Sequence, residues 1–138
     1  PDEGQGDAVR HAIEDSGLGE RLTWAGAVDS AGAARWMNDS DLYVLPSVNE
    51  PYPMSVLEAM STGLPVVVTD TCGLAETVRR TGSGTVVDDS QQHLEAALAE
   101  LLADPQLRRR RGEAARETIA REYGMDAVLE RLLEAYQD

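Results

Sequence analysis

An α/β fold built on a parallel sheet, closed at its C-terminal end by helices, is predicted by three features of the sequence. Short, continuous apolar runs, of which Val66-Val67-Val68 is the clearest, alternate with stretches of helical periodicity. Continuous rather than alternating apolarity marks strands buried on both faces, and their alternation with helices marks parallel pairing. After Asp88 the strand pattern stops, and three apolar stripes of helical spacing follow. One domain is expected of 138 residues, and an apolar content of 42% is enough for a core of its own.

Taken in order, Val9, Ala12, Ile13 and Leu18 define a first helix, stopped by Gly17 and Gly19. Leu22-Thr23-Trp24 reads as a short buried strand ending at Gly26. A second helix fits Ala31 to Asn38, with Trp36 and Met37 on its buried side, and Leu42-Tyr43-Val44-Leu45 is the next strand. The pattern repeats with a helix over 54–62, the strand Val66-Val67-Val68, a short helix over Leu74 to Arg79 and the strand Thr85-Val86-Val87. The three closing stripes are Leu94, Leu98, Leu101 and Leu102; Ala114, Ala115, Thr118 and Ile119; and Val128, Leu129, Leu132, Leu133 and Tyr136. They are broken at Asp104-Pro105 and at Tyr123-Gly124. There is no internal repeat, linker or low-complexity tract.

Composition excludes some classes of function. Twenty-five acidic residues against twelve basic ones give a net charge of −13, which repels nucleic acid and anionic lipid. No apolar run approaches the ~18 residues that span a bilayer, and no signal peptide opens the chain. The single Cys72 rules out an internal disulfide framework and fits a reducing cytosol, so a cytoplasmic domain is expected. His11 and His93 stand far from each other and from the cysteine, without metal-ligand spacing. Arg108 to Arg111, among Glu113, Arg116 and Glu117, read as a solvated helix face.

The chemistry concentrates between Pro46 and Val68, where a strand, a Pro-rich turn, a helix and a second strand follow one another. In open α/β sheets that strand-to-helix turn is where ligands are held. Glu50 stands on the turn and Glu58 on the helix, with seven residues between them. The N–H groups at the helix start, with the dipole behind them, form an anion site; Pro53 lacks a donor, so Met54 and Ser55 are the better candidates. A side chain one turn into a helix leans back toward its N-terminus, which brings Glu58 within reach of hydroxyls on the same ligand. Plainer readings exist for each. Ser55-Val56-Leu57-Glu58 has the form of a capping box, Pro53 suits the first helical position, and Glu50 could be a solvated loop acid.

Residues Pro46 to Val68, with their Glu-x7-Glu spacing and Glu-Ala-Met-x-x-Gly-x-Pro-Val run, resemble the nucleotide-sugar-binding signature of the family 4 retaining glycosyltransferases of GT-B architecture. Flanking pieces match in order: Gly4-Gln5-Gly6 before a helix, Trp24-Ala25-Gly26-Ala27-Val28 before another, then Gly73-Leu74-Ala75-Glu76 and Gly84-Thr85-Val86-Val87. The resemblance implies a Rossmann-like C-terminal GT-B domain that binds a nucleoside-diphosphate sugar and serves retaining, hexosyltransferase-type transfer to an acceptor hydroxyl, without a bound metal or other cofactor. It implies that Glu50 meets the donor sugar and acts in catalysis by offsetting an oxocarbenium-like charge. Glu58 would take the ribose, Pro53, Met54 and Ser55 the phosphates, and Gly26, Ala27 and Val28 the nucleobase through their backbone; Ser47 joins the donor-binding set.

On the same resemblance residues 1–138 form a partial donor-binding domain, with the acceptor domain outside the chain. Gly4-Gln5-Gly6-Asp7 corresponds to the turn after the domain's second strand, so two central strands and a helix are expected to be missing, leaving one stray edge strand and a trio. The expected partners are the donor and either that missing N-terminal part or a second copy of the chain; association with a membrane would come through the absent domain. The final helix would cross back to the partner domain. Two rivals are a sugar-nucleotide epimerase of the same architecture, which needs a different Asp/Glu/His set, and a non-catalytic α/β interaction or receiver module. The receiver module would need a lysine beside strand-end acids, and the chain contains no lysine.

Overall fold

The structure, a computed structural model, describes residues 5–127 together with Leu129 and Leu133. Gly4 and most of the third closing stripe, Val128, Leu132 and Tyr136 included, lie outside the described residues. The chain divides into two compact units, residues 1–33 and 34–138.

In the first unit α1 runs Gln5–Asp15. Gln5 and Gly6 therefore belong to the helix and not to a turn before it. The helix ends as expected: Ser16 Oγ donates to the Ile13 carbonyl at 2.6 Å, and Gly17 takes φ +68°, a conformation open to glycine at little cost. Residues 22–24 form no strand, and Leu22 and Trp24 are 43% and 44% exposed. An apolar triplet becomes a strand only where a neighbour supplies its ladder, and residues 5–33 contain none. The helix α2, Ser30–Asn38, starts in this unit, with Asp29 Oδ1 accepting from the Gly32 N–H at 2.7 Å.

The second unit carries the sheet. Strands β1 (Tyr43–Leu45), β2 (Val66–Thr69) and β3 (Gly84–Val87) are parallel and lie in sequence order, with Tyr43 paired to Val66 and Val66 to Gly84. They are the trio expected from the sequence. Between them run α3 (Met54–Thr62) and α4 (Ala75–Thr81); α5 (Gln91–Ala103) and α6 (Pro105–Thr118) follow, and α6 passes into a π-turn at Ile119–Tyr123. Val66 and Val68 point into one core with Val56, Met60, Val78 and Ala115, and Val67 into another with Val87, Ala97 and Leu101. Both faces are thus covered, and each fully buried large side chain contributes roughly 1.5–3 kcal/mol. Only one of two adjacent helical positions, 100° apart, can face the core squarely. Met37 does so and Trp36, 51% exposed, does not; Leu101 is buried and Leu102 is 62% exposed.

The arginine run is not the solvated face expected. Arg109 and Arg110 are exposed, but the Arg108 guanidinium donates to the carbonyls of Leu101 and Leu102 at 2.7 and 2.9 Å, closing the C-terminus of α5. Arg111 hydrogen-bonds Thr85, and Arg116 donates to the Thr62 carbonyl at 2.7 Å, where α3 ends on Gly63 at φ +86°. Gly112 lets α6 lie against that end: a Cβ there would stand 2.1 Å from the Gly63 carbonyl oxygen.

The π-turn is tied to α4 by a bidentate pair, Arg80 to Glu122 at 2.9 and 2.6 Å. That hydrogen-bonded guanidinium holds the Glu122 carboxyl below its ordinary value of 4.5. A pKa lowered by folding contributes stability that is complete above the unfolded-state value and lost as pH falls through the folded one. The difference in melting temperature between the parent and Glu122→Gln is therefore expected to hold at neutral pH and to shrink once pH drops below about 4.5. A difference that persists undiminished in strong acid would show that the pair's charge is not its source.

Candidate functional site

Because the three strands are parallel, their C-terminal ends, Leu45, Thr69 and Val87, lie along one edge of the sheet. The loop 46–53 leaves β1 at that edge and α3 starts there, so Ser47, Glu50, Pro53, Met54 and Ser55 are gathered on one connection, with Glu58 one turn further along the helix. The residues of the Glu-x7-Glu motif thus run from the end of β1 into the first turns of α3.

At the helix start Pro53 is buried and occupies the N-cap, one residue earlier than the first helical position proposed for it. The capping box does not form. Its serine would have to be the N-cap, but the helix opens at Met54 and the Ser55 hydroxyl instead accepts from Tyr43 Oη at 2.8 Å. No cap side chain satisfies the first N–H groups. Val56 N–H reaches the Pro53 carbonyl at 3.1 Å, and among the described residues those of Met54 and Ser55 have no partner. Two such donors at the positive end of the dipole are the elements of an anion site.

The Glu58 side chain is exposed and shares the outer face of α3 with Met54, one turn below, which is 57% exposed. Glu50 is half-buried. Among the described residues neither carboxylate takes part in a hydrogen bond or an ion pair, although six arginine–carboxylate pairs occur elsewhere. The site therefore offers two uncommitted acceptors and two uncommitted donors on one connection.

The Glu50 loop is held from the side by the last residue of β2 and the segment that follows it. Thr69 Oγ1 donates to the Ser47 carbonyl at 2.6 Å, Asn49 N–H donates to Thr71 Oγ1 at 3.0 Å, and Gly73 N–H donates to the Glu50 carbonyl at 2.8 Å. Sequence reasoning missed the two threonines and Tyr43. Their signal, a hydroxyl at or near a strand end, is too common to single them out, since the partners lie 12 and 22 residues away along the chain.

At the far side of the same sheet edge a cleft of about 200 Å³ opens between Pro46, Thr69, Val87, Ser90 and Leu94. Beside it the His93 ring nitrogen, 2.7 Å from Asp88 Oδ1, and then the Ser90 N–H hold the Asp88 carboxyl below its ordinary range. Gly26 and Val28 belong to the N-terminal unit, on the exposed loop that leads into α2, with Gly26 at φ +66°.

Comparison with known proteins agrees with the fold. The profile of the family described as glycosyl transferases group 1 matches residues 2–118. The D-inositol 3-phosphate glycosyltransferase of Paenarthrobacter aurescens is 33% identical over 131 residues, which are 94% of this chain and 32% of that protein. The phosphatidyl-myo-inositol mannosyltransferase of Mycobacterium leprae is 31% identical over 136 residues, 97% of this chain and 36% of that one. Among solved structures, sucrose-phosphate synthase from Thermosynechococcus elongatus aligns with a TM-score of 0.82 at 28% identity, covering 94% of this chain and 33% of the other. A mutant of S. aureus TarM, in complex with Fondaparinux, alpha-GlcNAc-glycerol and UDP, aligns with a TM-score of 0.83 at 23% identity over 98% of this chain and 27% of that one, a likeness of fold. The chain spans about a third of the length of the curated relatives it matches.

Proposed function

The chain belongs to the glycosyl transferases group 1 family, with the Rossmann-like α/β fold of a GT-B C-terminal domain, and from that premise we propose that it is the donor-binding part of a longer, retaining, family 4 hexosyltransferase. Its ligand is a nucleoside-diphosphate sugar. The phosphates sit at the N–H groups of Met54 and Ser55, Glu58 accepts from the ribose, and Glu50 from the sugar; Ser47 and Pro53 shape the loop, and Gly26, Ala27 and Val28 meet the nucleobase. The observation that carries this reading is the set of two carboxylates and two helix-start donors, none with a protein partner among the described residues, on the β1–α3 loop and the first turns of α3.

In the reaction the bond between the anomeric carbon and the diphosphate oxygen breaks, the oxygen of the acceptor hydroxyl bonds to that carbon with its configuration retained, and the hydroxyl proton passes to the departing diphosphate. A diphosphate leaves as an anion without needing a proton from the protein, so the second carboxylate need not be an acid, unlike the pair in a hydrolase. Glu50 offsets the positive charge that develops on the sugar. The reading places the enzyme in the cytosol and calls for no resident metal, so turnover is expected to persist in the presence of a chelator.

The test is a thermal-shift panel of UDP-, GDP- and ADP-sugars on the full-length protein, since a ligand that binds only the folded state raises its melting temperature. A panel that shifts nothing overturns the proposal. Where a nucleotide binds, Glu58→Gln keeps the shape but removes the charge, and affinity for the bare nucleoside diphosphate is expected to weaken by roughly 1–3 kcal/mol with stability unchanged. Isothermal calorimetry beside a melting curve checks both. Unaltered affinity with a lowered melting temperature would make Glu58 a structural residue.

A further inference from the structure

We propose that Thr69 and Thr71, with Gly73, are positioning residues that aim the Glu50 carboxylate, an inference that rests on the donor-site reading above. Within the four residues Ser47 to Glu50, three backbone atoms are tied to the end of β2 and the segment after it: the carbonyls of Ser47 and Glu50 and the N–H of Asn49. The two threonine hydroxyls stand 3.2 Å apart, so the anchors of Ser47 and Asn49 form one connected set. Asn49 sits at φ +59°, a left-handed conformation that asparagine enters more readily than other non-glycine residues. The Thr71 hydroxyl takes its N–H in that conformation. At Gly73 the loops touch: a Cβ would lie 1.7 Å from the Pro51 carbonyl oxygen, so no other residue allows the approach.

The consequence concerns charge. The Glu50 side chain has no hydrogen bond of its own among the described residues, so what the protein fixes is the backbone that bears it and with it the direction of its Cα–Cβ bond. A transition-state carboxylate must be in place before charge develops. The hydroxyls of Thr69, which is buried, and Thr71, which is exposed, hold that backbone together with the Gly73 N–H.

Thr71→Val is the informative substitution, because it keeps the side-chain shape at an exposed site and deletes only the hydroxyl. In the full-length enzyme, with the UDP- or GDP-sugar selected by thermal shift as donor and release of nucleoside diphosphate as the readout, kcat is expected to fall by on the order of tenfold. Affinity for bare UDP or GDP should stay within about twofold. Thr71→Ser should restore kcat. Independently of turnover, the Asn49 amide should exchange with solvent about tenfold faster in Thr71→Val than in the parent.

A panel of nucleotide sugars that shifts nothing would overturn the donor-site reading, whereas a fully active Glu50→Ala enzyme would take Glu50 out of the mechanism, and this inference with it. If Glu50→Ala is inactive while Thr71→Val keeps both parental kcat and Asn49 protection, the positioning role alone is overturned. It is equally overturned if Thr71→Ser fails to restore kcat, or if nucleotide affinity and kcat fall together.

Discussion

Replacing Glu50 by alanine in the full-length enzyme is expected to lower kcat by on the order of 10²-fold or more, as for other losses of one preorganised electrostatic group. Affinity for the bare nucleoside diphosphate should hardly move, because the proposed partner of Glu50 is the sugar. The structure gives reasons to expect a clean result. The Glu50 side chain has no hydrogen bond or ion pair among the described residues, and its loop is held through backbone atoms that survive the substitution. Removing the carboxylate therefore leaves no orphaned partner behind. Single-turnover release of nucleoside diphosphate, measured beside calorimetric binding of UDP or GDP, separates the two quantities. Equal turnover in parent and variant would take Glu50 out of the mechanism.

How much of this was legible in the sequence follows from the range of each interaction. The strands at 43–45, 66–69 and 84–87 announce themselves because both faces are buried, so their apolar runs are continuous. The breaks at Gly17, Gly63 and Pro105 are local chemistry and fall where backbone freedom or a missing N–H puts them. The triplet at 22–24 has the same local signal as the true strands and still forms none, since strand formation depends on a ladder partner that no local pattern reveals. Charge was misread for a similar reason. Arg108 and Arg116 look like a solvated run, but their partners are the carbonyls that end α5 and α3, 7 and 54 residues away. At the site the motif spacing located Glu50 and Glu58. The competing capping box also fitted that spacing; the helix start at Met54, one residue ahead of the serine, decides against it, and Ser55 accepts from Tyr43 outside the motif instead.

Met60→Ala is expected to cost about 2–5 kcal/mol of stability, the range for truncating a large buried side chain whose cavity collapses incompletely. Met60 is wholly buried and belongs to the cluster that includes Val56, Val66, Val68, Val78 and Ala115, contributed by α3, β2, α4 and α6. Gly112 brings α6 so close to the end of α3 that the surrounding backbone has little room to relax into the hole. Met60→Leu, nearly equal in volume, should cost less than about 1.5 kcal/mol. Urea unfolding followed by far-UV circular dichroism measures both, and an unchanged m-value would show that the same surface is exposed in each variant. The contrast with Glu58→Gln, two residues away on the same helix, is the sharper test. The charge substitution should weaken nucleotide binding and leave the unfolding midpoint in place; the core substitution should lower the midpoint and leave binding intact at temperatures where the variant is folded. If Met60→Ala instead loses nucleotide affinity in its folded state, the start of α3 is not held by its own loop and strand contacts but depends on the packing of its far end.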